Sequence, residues 1–473
     1  MSAGTITFAP TPSTERTSKP VVAARTKLLL EGPILPILMR LSAPNVLNLL
    51  AIAGMITFDG LFLGRLGADA LAGVSLAFPF VMLMQHTAAS GMGGGVSSAI
   101  ARALGGGKRH VADALVLHTF VLALGLAAAF SGVLLLAAPI VFRAMGGQGA
   151  VLSAAMDYAN VAFCAAISIC MLNLLGSAVR GAGNMALPAG VIVGSVLGHV
   201  VVSPVLIFGW GLIPGVGPAG AGWGLMVSFA AGSLILFAYL RSPRSLVRLR
   251  FRGARLQWRL FADILKVGVP GLINVVITNL SVIVLTGIAG QLGKETALGY
   301  ALGARLEYIL IPLAFGFGTA IVAMVGTNWG GEQYQRAHRA AWTGAMTVAV
   351  TCASIGTFFA LFPTLWLHLF TSDEATLRVG TSYLRIVGPI YGLYGLGMGL
   401  YFASQGLGNA LWTVSANATR VILSSGCALI AIYWLNLGAR GLFISIAVGF
   451  CAYATLTLFA VWRVKAPPAD HSA

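Results

Sequence analysis

The side chains in this sequence that could do chemistry are few, and most lie inside apolar stretches. Asp59 sits within MRLSAPNVLNLLAIAGMITFDGLFLGRLG (Met39–Gly67), a segment long enough to cross a bilayer. A carboxylate at membrane depth is costly, so it usually faces a bundle interior or a wet cavity and marks an ion or proton path. At 100° per helical residue, Asn45, Asn48, Ile52 and Asp59 fall within about a 60° arc, which gives the segment one polar face. The competing reading places Asp59 at the outer end of that helix, hydrated at the interface. Ser195, His199 and Ser203 are spaced i, i+4, i+8 and share a face of another apolar segment. Histidine is the side chain whose unperturbed pKa lies nearest neutrality, which suits a proton relay, although a packed neutral imidazole fits the same spacing. The expected chemistry is exchange of a proton or cation at a carboxylate, with Asp59, His199 and Ser203 as its residues.

A second set of polar residues is suited to lining a substrate cavity: Asn45, Asn48, His86, Glu307, Arg385 and Tyr391. Glu307 is the one carboxylate placed well inside a span of the second half. Arg305, two residues away, points elsewhere on the helix, so Arg385 is the candidate partner for Glu307. A structural ion pair and a substrate contact are equal readings of those two charges. Tyr391, with Tyr394, Tyr401 and Trp412, suits either an amphiphile site or ordinary packing. The five cysteines lie in apolar runs without metal-ligand spacing. Phosphate-cradling loops, HExxH and GxSxG are missing from the sequence, so neither cofactor, metal nor enzymatic activity is expected. Transport energy then has to come from a gradient of H⁺ or, less favoured, Na⁺.

The elements that must position these groups follow from composition. The chain is 58% hydrophobic and only 9% charged, where a soluble protein carries about 25% charged residues. It therefore reads as an all-α polytopic membrane protein. Its net charge of +16 belongs to loops that face a membrane rather than to nucleic-acid recognition. Apolar spans are expected near 40–63, 70–97, 114–138, 154–176, 187–208 and 222–240, and again near 266–289, 297–324, 340–362, 379–402, 412–435 and 441–462. Residues 1–27 read as a disordered cytoplasmic tail and 28–38 as an interfacial lead-in. Residues 28–240 then form a first lobe, 241–262 a basic connector, 263–463 a second lobe and 464–473 a short tail.

The two lobes repeat each other. At an offset of 226, Met39–Pro44 aligns with Leu265–Pro270, Asn48 with Asn274, and GRLG (64–67) with GQLG (290–293). At 225, Tyr158 aligns with Tyr383 and GAGN (181–184) with GLGN (406–409). Late in the chain the offset falls to 217, because the first half carries a longer loop at 209–218. Asp59 aligns with Leu285, so the acid is not duplicated. Two copies of a six-helix unit insert the same way up and make twelve transmembrane helices in two pseudo-symmetric lobes. With both termini inside, 21 Lys/Arg fall in inside segments and five in outside loops, which sets both termini in the cytoplasm.

These residues resemble the multidrug and toxic compound extrusion (MATE) family. FDGLFLGRLGADALAG (Phe58–Gly73) matches the family's V-D-T-x-F-x-G-x-L-G-x-x-A-L-A pattern, with support from GNMALP (183–188), SPVLIFG (203–209) and RLEYILIPLAFGFGTA (305–320). The resemblance, which runs from about Ile37 to Arg463, implies two six-helix lobes around a V-shaped cavity. It also implies antiport of H⁺ or Na⁺ against amphiphilic, often cationic compounds. Asp59 falls on the family's acidic residue of the first helix, which is tied to ion coupling. One branch carries Asn and Asp four apart on the fifth helix before a proline; His199 and Ser203 stand there, followed by Pro204. Two oxygen ligands for Na⁺ are thereby missing. A second branch places acids on the seventh and tenth helices, and this sequence has none in those spans.

The expectation is a monomeric inner-membrane exporter of small amphiphilic compounds, proton-driven and embedded in lipid. A lipid or lipid-linked oligosaccharide flippase of the same superfamily is the alternative; a channel or intramembrane enzyme ranks below both. Eight Lys/Arg between Arg241 and Lys266 hold the connector to the inner leaflet at about 1 kcal/mol per near-surface charge. A cysteine replacing Gly253 should react with thiol reagents from the cytoplasmic side only. Labelling from outside would invert the topology.

Overall fold

Glycine and proline mark where the apolar periodicity stops. In the computed structural model the described residues are 24–211, 213–251 and 255–464, without the side chains of 49, 50 and 53. Gly253 and most of both tails lie outside them. The first half runs through α1 (Ala24–Glu31), α2 (Ile34–Leu66) and α3 (Ala68–His86), then a π-helical turn (Thr87–Met92) leading into α4 (Gly93–Gly105). It continues with α5 (Arg109–Ala144), α6 (Gly149–Cys164), α7 (Ala166–Gly181), α8 (Ala186–Phe208) and α9 (Pro218–Arg241). The long loop between α8 and α9 folds as a small hairpin, β1 (Gly209–Trp210) pairing with β2 (Ile213–Pro214). The second half holds α10 (Trp258–Gln291), α11 (Lys294–Ala304), α12 (Glu307–Gly330), α13 (Tyr334–Leu361) and α14 (Pro363–Leu367). It closes with α15 (Glu374–Val387), a 3₁₀ turn at Gly388–Ile390, α16 (Tyr391–Gly406), α17 (Leu411–Tyr433) and α18 (Gly438–Trp462).

Among the described residues ten single or joined helices are long and apolar enough to cross a membrane, and α6 with α7, bent by 42°, makes an eleventh. With α2, 33 residues long, they match the twelve expected spans. The repeat is visible in backbone geometry. Gly67 and Gly293, 226 positions apart, both break the chain at positive φ, 127° and 111°, where a side chain would be strained. The fourth span breaks at Ala165 and the tenth at Gly388–Ile390, again at matching positions.

Three boundaries differ from the sequence expectation. Residues 24–27 belong to α1, with Thr26 buried, rather than to a tail. Residues 34–38 open the first membrane helix instead of leading into it. The connector is shortened to 242–257, because α10 begins at Trp258. It is also strapped to the first lobe: Arg248 N donates to Asp113 Oδ1 at 2.7 Å, and Gln257 N donates to His118 Nε2 at 2.9 Å.

The buried apolar residues form two cores, one mostly from each half of the chain, with an exchange between them. Leu29, Ile37 and Leu38, from α1 and the start of α2, pack in the second lobe's core, whereas Met55 and Leu63 of the same α2 pack in the first. Ile264, 226 positions after Leu38, starts α10 within the first core, while Leu285 and Ile288 lie in the second. The crossing points correspond. Asn45 on α2 donates to Thr319 Oγ1 on α12 at 2.8 Å, and its repeat mate Gly271 lies backbone to backbone against Gly91 in the π turn.

At the connector end the lobes are closed on each other. A Cβ at Gly105 would overlap the Thr327 carbonyl oxygen, and one at Gly330 would overlap that of Arg102, so only glycine permits α4 and α12 to meet there. Arg102 Nη2 reaches Asp263 Oδ1 on α10 at 2.7 Å. Ser98 Oγ donates to the Gln405 carbonyl, and Arg102 donates to Ser98 Oγ. Asn328 Nδ2 donates to the Leu29 carbonyl at 3.1 Å, which ties α1 across this end.

Substituting Gly330→Val should block this closure. Efflux in vesicles should fall to background with membrane insertion intact, and a cysteine at Ser98 should become reactive from the connector side. Gly190→Val, at a position where a Cβ meets nothing within 4 Å, should transport normally.

Candidate functional site

Asp59 lies 14 residues beyond Asn45 along α2, about 21 Å further from the lobe crossing at 1.5 Å per residue. The lobe folds so that α2 packs along α8 and α8 along α9. That packing brings Asp59 Oδ1 to 2.7 Å from His199 Nε2. The histidine side chain is 1% exposed and the aspartate 20%, so the pair is enclosed on the imidazole side and open on the carboxylate side. A hydrogen bond to a charged group is worth about 1.5–3 kcal/mol net. Among the described residues, His199 Nδ1 is buried with no hydrogen-bond partner, and so is Ser203 Oγ one helical turn on. A neutral imidazole donating Nε2–H to Asp59 leaves the Nδ1 lone pair free, whereas an imidazolium would leave a buried N–H unpaired. Gly224 of α9 lies against the Ser203 backbone, and Ser195 Oγ donates back to the Val191 carbonyl at 2.9 Å. Tyr158 on α6 stands within electrostatic reach of Asp59.

The asparagine face divides in use. Asn45 is spent on the contact with α12 described above, while Asn48 Oδ1 is buried without a partner. His86 ends α3 with its side chain exposed, and its carbonyl accepts from Ser90 Oγ at 2.7 Å at the start of the π turn. π-bulges recur at functional sites because they re-aim a helix and loosen its hydrogen-bond ladder.

In the second lobe Glu307 opens α12 just after a break in the span. Tyr383 OH donates to its Oε1 at 2.8 Å, Tyr391 OH lies 3.4 Å from the same oxygen, and the two hydroxyls are 3.1 Å apart. Arg385 is not its partner. The side chain of Arg385 is exposed on the opposite face of α15 from the buried Tyr383. The nearby cation is Arg420 on α17, which donates from Nε to Asn417 Oδ1 at 2.8 Å and lies over the Tyr394 and Phe450 rings at 5.7 and 5.6 Å. Tyr391 is fully buried, in the lobe core rather than on an open wall.

Several residues of this arrangement were missed from the sequence. Asn417 Nδ2 donates to Asn274 Oδ1 at 2.8 Å, which joins the seventh and eleventh spans where Asp59 and His199 join the first and fifth. The repeat could have pointed to it, since Asn274 is the mate of Asn48. Tyr158 and Tyr383 were visible as a repeated pair, yet tyrosine in a membrane helix reads as packing. Among the described residues no cluster of three or more His, Cys, Asp or Glu is arranged to hold a metal ion.

Comparison with known proteins agrees with this architecture. The MatE family profile matches residues 44–205 and again 270–430. The chain is 27% identical over 376 residues to the FAD transporter of Shewanella oneidensis, covering 78% of this chain and 81% of that protein. It is 26% identical over 437 residues to the probable multidrug resistance protein NorM of Thermotoga maritima, covering 89% and 90%. Among solved structures, a MOP superfamily transporter from Pyrococcus furiosus superposes with a TM-score of 0.83 at 25% identity, over 93% of this chain and 98% of that one. An outward-facing multidrug resistance MATE transporter superposes at 0.82, also at 25% identity, over 92% and 96%. Two matched MatE units, twelve apolar spans and two exchanged lobes place the chain in the MATE family of membrane transporters.

Proposed function

We propose that this transporter exports small amphiphilic, mainly cationic compounds by antiport against protons. It would work as a monomer in the cytoplasmic membrane, with both termini inside. The observation that carries the reading is the 2.7 Å contact between His199 and Asp59. With one proton on the imidazole and the carboxylate ionised, the pair bears one negative charge and favours a cation nearby. A second proton, taken up at Nδ1 or the carboxylate, brings the pair to zero charge and removes that attraction. Because one hydrogen bond joins the two groups, the release step would belong to the pair rather than to either residue. Substrate would load from the cytoplasm, the lobes would rock, and release would follow protonation from the outer side. Na⁺ is disfavoured because it needs several hard oxygen ligands, while His199 occupies one carboxylate oxygen and is itself a poor ligand.

Vesicles with ΔpH and Na⁺ gradients imposed separately decide the ion. Efflux should follow ΔpH, rising as the outer side is acidified, and should be indifferent to Na⁺. His199→Ala should shift the pH dependence of transport. Robust Na⁺-driven transport at zero ΔpH defeats the proposal, and an unchanged profile in His199→Ala returns that residue to packing.

Asp59→Asn should insert and fold normally but lose gradient-driven efflux by about tenfold or more, within the usual range of coupling between two sites. Wild-type export by that variant would remove Asp59 from coupling. The same assay should include a dinucleotide and a lipid-linked sugar as competing cargo. Transport of the lipid-linked sugar with none of an organic cation would favour the flippase reading, and transport of the dinucleotide alone would favour a cargo like that of the FAD transporter relative.

A further inference from the structure

The connector-distal end of the second lobe carries a charged cavity that the coupling pair does not use. It has a volume of about 780 Å³ and is lined by Glu374, Arg378 and Arg385 of α15 together with Arg440 near the start of α18. Glu374, Arg378 and Arg385 are spaced i, i+4, i+11 and share one face of α15. The opposite face, with Thr376, Gly380, Tyr383 and Val387, is buried against the lobe. The charged stripe therefore looks out from the lobe surface. Arg385 lies 11 residues beyond Glu374, about 16 Å deeper into the span at 1.5 Å per residue.

An arginine at that depth is expensive unless it finds an anion. The protein supplies few. Glu374 pairs with Arg378 at 3.6 Å, both exposed, and among the described residues neither Arg385 nor Arg440 makes an ion pair. The lining itself holds three arginines and one carboxylate, +2, and the α15 N-cap Asp373, within electrostatic reach of Arg378, still leaves a net positive charge. This happens at the end where only five Lys/Arg occur in loops, so the cluster is no by-product of a generally basic surface. Tyr433 and Trp434, exposed just before α18, are the kind of belt residues that sit at headgroup depth, and they place Arg440 at that level. Leu377 and Ile386 add an apolar wall beside the arginines.

We propose that this cavity binds the phosphate of an anionic phospholipid in the leaflet distal to the connector. Arg440 and Arg378 would hold the phosphate and headgroup, and Arg385 would reach up to it from below. Guanidinium forks match phosphate oxygens bidentately, and the cavity volume is that of a small-ligand site. The inference is independent of the transport reading, because lipid binding requires neither a gradient nor a cargo.

The test uses the full-length protein in vesicles containing a photoactivatable phosphatidylglycerol, with cross-linked peptides mapped by mass spectrometry. Cross-links should fall on two regions: the basic connector, and the peptides carrying Arg378–Arg385 and Tyr433–Arg440. In the triple variant R378Q/R385Q/R440Q the second set should fall steeply, by about fivefold per arginine neutralised, as one near-surface charge implies. The connector set should persist and report an intact fold. Arg385→Gln alone should give the single-charge fall if the triple variant inserts poorly. Equal labelling of the cavity by a phosphatidylcholine analogue, or unchanged cavity labelling in the variants, would overturn the proposal. Suppression of the cavity cross-links by millimolar inorganic phosphate, with connector labelling unchanged, would assign the site to a free anion and overturn it equally.

Discussion

The arrangement depends first on the absence of side chains where α4 meets α12. Helix axes usually keep 8–10 Å apart because side chains interdigitate between them. At Gly105 and Gly330 each backbone instead fits against a carbonyl of the other lobe. That proximity lets the short reach of Ser98 find the Gln405 carbonyl and brings Arg102 to Asp263. The polar contacts would be weak without it, since one partner of the ion pair is 42% exposed and surface pairs contribute about 0–1 kcal/mol. Backbone fit therefore sets the closed state, and the ion pair selects its register.

Above that seam the two lobes have diverged in what they do with the same skeleton. Tyr158 and Tyr383 are repeat mates used differently: Tyr158 is buried in the first core, and Tyr383 donates to Glu307 of the eighth span. Where the first lobe holds Asp59 against His199, the second has Leu285, 4% exposed, and Ser424 with its hydroxyl buried and unpartnered. One lobe thus contains a carboxylate–imidazole hydrogen bond. The other contains a carboxylate clamped by two phenols, with an arginine held over aromatic rings nearby. The repeated positions are the same, and different residues at them give each lobe a carboxylate with a different partner.

Much of this was readable before any coordinates. The offset of 226 carried the twelve spans, the paired lobes and the matched breaks at Gly67 and Gly293, because glycine at positive φ leaves a trace in sequence. Asp59 and His199 were each legible as polar residues on apolar helices, but nothing in their spacing joined them; the packing of α2 along α8 does. The Arg102–Asp263 contact left no such trace, since its partners are 161 positions apart and lie in different halves of the sequence. Pairing Glu307 with Arg385 failed for a physical reason: neutral phenol hydroxyls satisfy a carboxylate as well as a cation does, so charge matching picked the wrong neighbour. The docking of α1 was hidden by its polar composition, because only Thr26 and Leu29 are buried and the helix is held through the Leu29 carbonyl by Asn328 and Arg336.

The exchange of helix starts has a further consequence. Each lobe's core is completed by the opening segment of the other half: Leu38 serves the second lobe and Ile264 the first. Pro44 and Pro270 sit within those two helices near the crossings, where each removes a backbone donor and weakens the rod. This is the geometry of a domain-swapped dimer whose two subunits have been fused into one polypeptide. Neither half is a complete folding unit, so the protein can neither dissociate into lobes nor let one lobe turn without flexing a helix rooted in the other.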